Sequence, residues 1–138
     1  MALTYRAWLL LLDRVADGDI LQDLITLVAL NDCRERRGAV TVVKHVAEIE
    51  DHVDKLVELR AIPALTQALW SNDRQTFRQA CLALSHIAAA DDDHVQFMLD
   101  EGVLSPLRTF LLTIKANQDV NAMKDVLTLL QVLSSVGE

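Results

Sequence analysis

Along most of this chain apolar residues return every three or four positions, the spacing of one face of an α-helix. The clearest stretch is 61–107, AIPALTQALWSNDRQTFRQACLALSHIAAADDDHVQFMLDEGVLSPL. Phe77, Ala80, Cys81, Leu84, Ile87 and Ala88 fall on one face of a long helix there. Pro63 sits where a first helical turn tolerates it, because its missing N–H has no intrahelical partner at that point. Ser71, Asn72 and Asp73 stop the helix before the long one, and Asp73 offers the long helix its N-cap. Asp91, Asp92 and Asp93 close the long helix and can cap its successor, while Gly102 supplies a sharp exit. The stretch predicts short helix, tight turn, long helix, turn and short helix, which is one turn of a helical solenoid.

The rest of the chain fits around that unit. Residues 3–16 read as a helix with Ala7, Leu11 and Val15 on one face, closed by Asp17, Gly18 and Asp19; this is an irregular N-terminal cap, as solenoid ends require. Residues 20–30 and 34–50 give a second and a third helix, with 52–59 and 93–101 as short first helices of the units after them. Residues 105–115 and 120–136 complete the last unit. Val126, Leu129, Leu130 and Leu133 make the final helix strongly apolar, so it is either covered by its own repeat or offered to another chain.

Internal repetition supports this layout. A shift of 41 positions lays Leu24 on Leu65, Asn31 on Asn72, Asp32 on Asp73, Arg37 on Arg78, Ala39 on Ala80, His45 on His86 and Ala47 on Ala88. A shift of 42 pairs His52 with His94 and Val53 with Val95, and carries Leu65, Ala80, Leu84 and Ile87 onto Leu107, Ala122, Val126 and Leu129. A helical period of about 40 residues is the signature of armadillo or HEAT arrays. AIPALTQAL, FRQACLALSHIAAA and EGVLSPL resemble the second helix, third helix and Gly-led return of the armadillo repeat family. Three helices per period favour armadillo over HEAT. Arg60 stands where that family usually has Gly. The resemblance implies an all-α fold, a right-handed α-solenoid of about three repeats: a cap at 1–19, then units at 20–60, 61–102 and 103–138, forming a single domain.

Composition narrows the function. The 138 residues are 51% hydrophobic but only 4% aromatic, the palette of packed helices rather than of a β-sandwich. A net charge of −7 and a pI near 5.0 argue against nucleic acid as the partner. Cys33 and Cys81 are far apart and make no metal-ligand spacing, which fits a reducing compartment. The apolar run 8–12 is too short for a signal-peptide core or a membrane span, so the expected setting is the cytoplasm, with the nucleus open to it through a partner.

What the resemblance implies about binding concerns the third helices, which in armadillo proteins line a concave groove where a recurring Trp and Asn hold extended peptides. The Asn-like positions here are His45, His86 and Thr128, and the Trp-like positions are Thr41, Leu82 and Lys124. One turn earlier stand Arg37 and Arg78. Residues four apart share a helix face, so Arg37, Thr41 and His45 form one rung and Arg78, Leu82 and His86 the next. Arginines suit carboxylates and phosphates. The expected ligand is therefore an extended acidic or phosphorylated segment of a partner protein, with the histidines bonding its backbone and affinity falling as pH rises through their titration.

Other constellations read more plainly. Cys81 and His86 are not on one helical face, and Cys81 reads as a small core residue. Helix capping explains Asp91, Asp92, Asp93 and His94 without a metal. Arg34, Arg36 and Arg37 flank Glu35 as a solvated helix face, although Arg36 aligns with the apolar Phe77. Phosphate loops, catalytic triads and paired catalytic carboxylates find no match. The chain reads as a non-catalytic interaction module with no cofactor. The alternative is a structural scaffold, a homo-oligomer held by its apolar end helices, which the mean hydropathy of +0.22 favours.

Overall fold

The computed structural model describes residues 5–17, 19–30, 34–113 and 119–135. Cys33, the Asn31 and Asp32 turn, Gly18, the side chain of Trp8 and the loop 114–118 lie outside the described residues. Helices α1 (Tyr5–Asp17), α2 (Asp19–Ala29) and α3 (Arg34–Ala47) form a first triplet. A 3-10 turn, Glu50–His52, leads into α4 (Val53–Glu58), followed by α5 (Ala61–Ala68) and α6 (Arg74–Ala90). Then come α7 (Asp92–Asp100), α8 (Leu104–Thr113) and α9 (Val120–Ser134), and no strand occurs among the described residues. Thus α1 precedes α2 as α4 precedes α5 and α7 precedes α8.

The bends between the first and second helices of the second and third triplets are made by two chemically different residues in one conformation. Gly102 has φ 82°, and Arg60, one repeat earlier, has φ 67°. Gly enters the left-handed region freely, whereas a side chain there costs roughly 1–2 kcal/mol. The bend is thus kept at Arg60 without the glycine, because the helices on either side of it are fixed by burial. Val57 and Leu59 are packed against the core and Ala61 and Ile62 are buried.

Aspartates start the helices that come after the other turns. Asp73 accepts from the Thr76 N–H at 3.0 Å, Asp91 from Asp93 N–H at 2.9 Å and Asp119 from Ala122 N–H at 2.9 Å. Each satisfies a donor the helix itself leaves open. Of the three acidic residues at 91–93, it is Asp91 that caps. His94, beside them, is buried with its Nδ1 donating to the carbonyl of Ile87 at 2.9 Å.

These caps revise the register of the last unit. Asp73 and Asp119 do the same job 46 positions apart, where the sequence match runs at 42. The extra turn is taken up between the start of α8, which is longer than α5, and the cap of α9. Lys124 stands five residues after its capping aspartate, as Arg78 does, so Lys124 answers to Arg78 and Thr128 to Leu82. The third helices pack side by side in one layer, α3 on α6 and α6 on α9, while α2 and α5 pack in another. Val40, Val43, Leu84, Ile87, Val126 and Leu129 fill the space between the layers.

Candidate binding face

The eight groove residues read from the sequence all stand on the third helices, α3, α6 and α9, and none of them is fully buried. Arg37, Arg78 and Lys124 occupy the N-terminal ends of α3, α6 and α9. Thr41, Leu82 and Thr128 lie one turn further, with His45 and His86 beyond them. Thr41 and Thr128 are matched in detail: each hydroxyl donates to the carbonyl four residues back, Arg37 and Lys124 respectively, at 2.9 Å. Leu82 is half-buried between them and His86 is exposed.

The arginines do not stand alone. Arg37 Nε donates to Asp73 at 2.9 Å and its Nη2 bonds the other oxygen of the same carboxylate, so α3 is tied to the cap of α6. Arg78 Nε donates to Asp125 at 2.8 Å, tying α6 to α9. Arg74 lies 3.1 Å from Asp119, the cap of α9, and its guanidinium stacks 4.9 Å from the Phe110 ring centre. Phe110 in turn stacks on Phe77 at 4.6 Å. Hydrogen bonds from Arg37 hold the Asp73 carboxyl well below the ordinary carboxylate range, with burial opposing and Thr76 assisting. Sequence reasoning misses Asp125 and Asp119 as partners of these cations, and it finds in Asp73 a cap alone.

The far edge of the face has the opposite character. Glu48 lies 2.9 Å from Lys44 Nζ and 3.5 Å from His45 Nδ1. Burial works against ionisation of Glu48, but Lys44 prevails and holds its carboxyl below the ordinary value. His45 is also held below its ordinary 6.5, first by burial and then by Lys44. A hollow of about 210 Å³ opens here between Glu48, Glu50, Val53, His86 and Ala89. Cys81, behind the face, is buried, and its thiol is pushed up by burial and by Asp125. A thiol kept protonated is a packing group, not a nucleophile.

Comparison with protein-family models gives no match, and comparison with curated proteins gives none. Solved structures do match. A designed armadillo repeat protein superposes with a TM-score of 0.69 at 22% identity, covering 81% of this chain and 46% of its own. Another, solved with the peptide (KR)4, gives a TM-score of 0.73 at 20% identity over 91% of this chain and 56% of its own. The fold is armadillo-like. A computationally designed armadillo repeat protein for modular peptide recognition agrees, with a TM-score of 0.74 at 22% identity over 88% of this chain and 50% of its own. The chain spans between 46% and 56% of the length of these designed proteins. Its three triplets form a right-handed armadillo-like solenoid, and no described helix is long and apolar enough to cross a membrane.

Proposed function

We propose that this chain is a non-catalytic binding module that takes an extended peptide segment of a partner protein across α3, α6 and α9, on the concave side of the solenoid. The observation that carries the reading is the row structure: Arg37, Arg78 and Lys124, then Thr41, Leu82 and Thr128, then His45 and His86, each row crossing successive helices. A segment lying across the helices meets a cationic side chain once per repeat, a spacing that suits an extended chain. The designed proteins with this fold that recognise peptides support the reading by analogy.

The finer proposal is that the segment is acidic or phosphorylated. A guanidinium presents two edges to planar oxyanions, and Asp73 occupies only the Nε edge of Arg37. The end-on edge of this exposed side chain remains for a ligand carboxylate or phosphate. Lys124 is exposed and makes no ion pair among the described residues. All three cations sit near helix N-termini, whose dipoles favour negative charge.

Fluorescence anisotropy with three labelled ten-residue probes tests both levels: a Glu-rich peptide, its phosphoserine counterpart and a Lys/Arg peptide. The first two are expected to bind more tightly than the third, and binding should weaken at least tenfold in a Leu82→Glu, Lys124→Glu variant. Tighter binding of the basic probe would overturn the acidic assignment alone. Binding by any probe that the variant leaves unchanged would overturn the face.

A further inference from the structure

The ends of the solenoid break a rule that its middle obeys. Leu21, Ile62 and Leu104 are repeat equivalents on the second helices, as are Val28, Leu69 and Leu111. In the first two triplets these positions are buried, yet Leu104 is 48% and Leu111 39% exposed. On the third helices Val40 and Cys81 are buried, while Leu127, the same distance from its cap as Cys81, is 54% exposed. In the register of 42 its equivalent would be Ser85, which is also buried. The positions that a further repeat would cover are therefore leucine in the third triplet, and they are exposed there.

The opposite end shows the converse. Ala61 and Val103 are buried, each in a triplet that has another before it, and their equivalent Ile20 in the first triplet is 57% exposed. His52 and His94 reach back to the first helix of the preceding triplet, His52 Nε2 to Asp13 at 2.7 Å and His94 Nε2 to Asp54 at 3.9 Å. At the equivalent place in α1 stands Leu11, also exposed. A side chain that would meet a polar partner in a preceding repeat is here apolar.

One chain thus carries both halves of its own inter-repeat interface, a front half at Leu11 and Ile20 and a rear half at Leu104, Leu111 and Leu127. We propose that a second copy of this chain docks head to tail, its first triplet packing on the last triplet of the copy before it and continuing the solenoid. The contact is heterologous, because different surfaces meet, so each dimer keeps one open face of each kind and growth does not stop at two. The third-helix face is not consumed; it is lengthened. The contact does not depend on which peptide that face binds.

Sedimentation velocity of the full chain over a hundredfold range of concentration tests it, with one variant blocking each end. Ile20→Glu closes the front and Leu104→Glu, Leu127→Lys closes the rear; circular dichroism of each checks that helicity is kept. The wild type is expected to pass beyond dimer as concentration rises. Each variant alone should remain monomeric, and an equimolar mixture should form a dimer and no larger species, since one good front meets one good rear. A wild type that stays monomeric throughout would overturn the proposal. So would a front-blocked variant that still dimerises by itself, because that contact would be symmetric. Should the double substitution lower helicity, Leu127→Lys alone serves in the mixture, with the same outcomes deciding.

Discussion

Arg60 is the residue at which local chemistry and fold are most openly opposed. Its backbone sits at φ 67°, the conformation that Gly102 adopts without cost at the equivalent bend. Arg60→Gly removes the steric penalty but adds freedom to the unfolded chain, and the two nearly offset. The expected net gain is about 0.5 kcal/mol, read as a higher denaturation midpoint; Gly102→Ala is expected to lose about 1 kcal/mol in the same measurement. Asp73 makes the second residue-scale prediction. Its carboxyl is depressed in the folded state, so its contribution is present above the unfolded value of about 3.9 and is lost as pH falls below it. The stability difference between wild type and Asp73→Asn should therefore be largest near neutral pH and shrink steadily as pH falls from about 4 toward the lower folded value. His45 sets a third. It is held below 6.5, so binding of an acidic probe is expected to be flat from pH 8 to 7 and to strengthen only at lower pH, as the ring gains its proton beside Lys44 and Glu48.

At the scale of elements, the helices are legible in the sequence because their punctuation is chemical. Asp73, Asp91 and Asp119 start three of them, and Gly102 with its partner bend at Arg60 separates first from second helices within the triplets. Helix ends differ by a few residues: α3 stops at Ala47, where the sequence suggests a helix to residue 50, and a 3-10 turn takes over. The third-repeat register is less legible, since a pattern repeating every three or four residues matches itself one turn away. Only the cap at Asp119 separates the two alignments. Side-chain roles across elements are the least legible. The match of His52 with His94 shows a repeated residue, but not that each reaches the preceding first helix. Arg36 shows the same limit. It occupies the place of Phe77 and reads as solvated surface, yet it is buried and its Nε donates to the Val28 carbonyl at 2.8 Å, closing the C-terminal end of α2. Arg36→Leu keeps the bulk and removes that charged donor, so it should cost about 2 kcal/mol in urea unfolding. A loss under about 0.5 kcal/mol, the range of an ordinary surface substitution, would show that the bond does not hold α2 to α3.

The molecule as a whole is a stack of three helical triplets with two kinds of surface, a polar third-helix face and apolar ends. Its charge of −7 opposes the meeting of two copies, while the ends that meet are leucine and isoleucine. Salt screens the first and leaves the second intact. Head-to-tail association is accordingly expected to tighten between about 50 and 500 mM salt, in the range where binding of an acidic peptide to Arg37, Arg78 and Lys124 weakens. Opposite salt responses would separate the two activities in one preparation. Fold and candidate face are readable from the repeat, because burial and capping recur with it. The ion pairs that brace the face are not, because Asp125 sits in the last helix with no counterpart at the matching places in α3 and α6. Backbone amide mapping by NMR during titration with the phosphoserine probe decides whether peptides lie across the third helices. Shifts are expected on all three helices together, at Arg37, Thr41 and His45, at Arg78, Leu82 and His86, and at Lys124 and Thr128. Shifts confined instead to the second-helix layer, around the apolar hollow of about 330 Å³ lined by Ile25, Ala29, Leu59, Pro63 and Ala64, would contradict it.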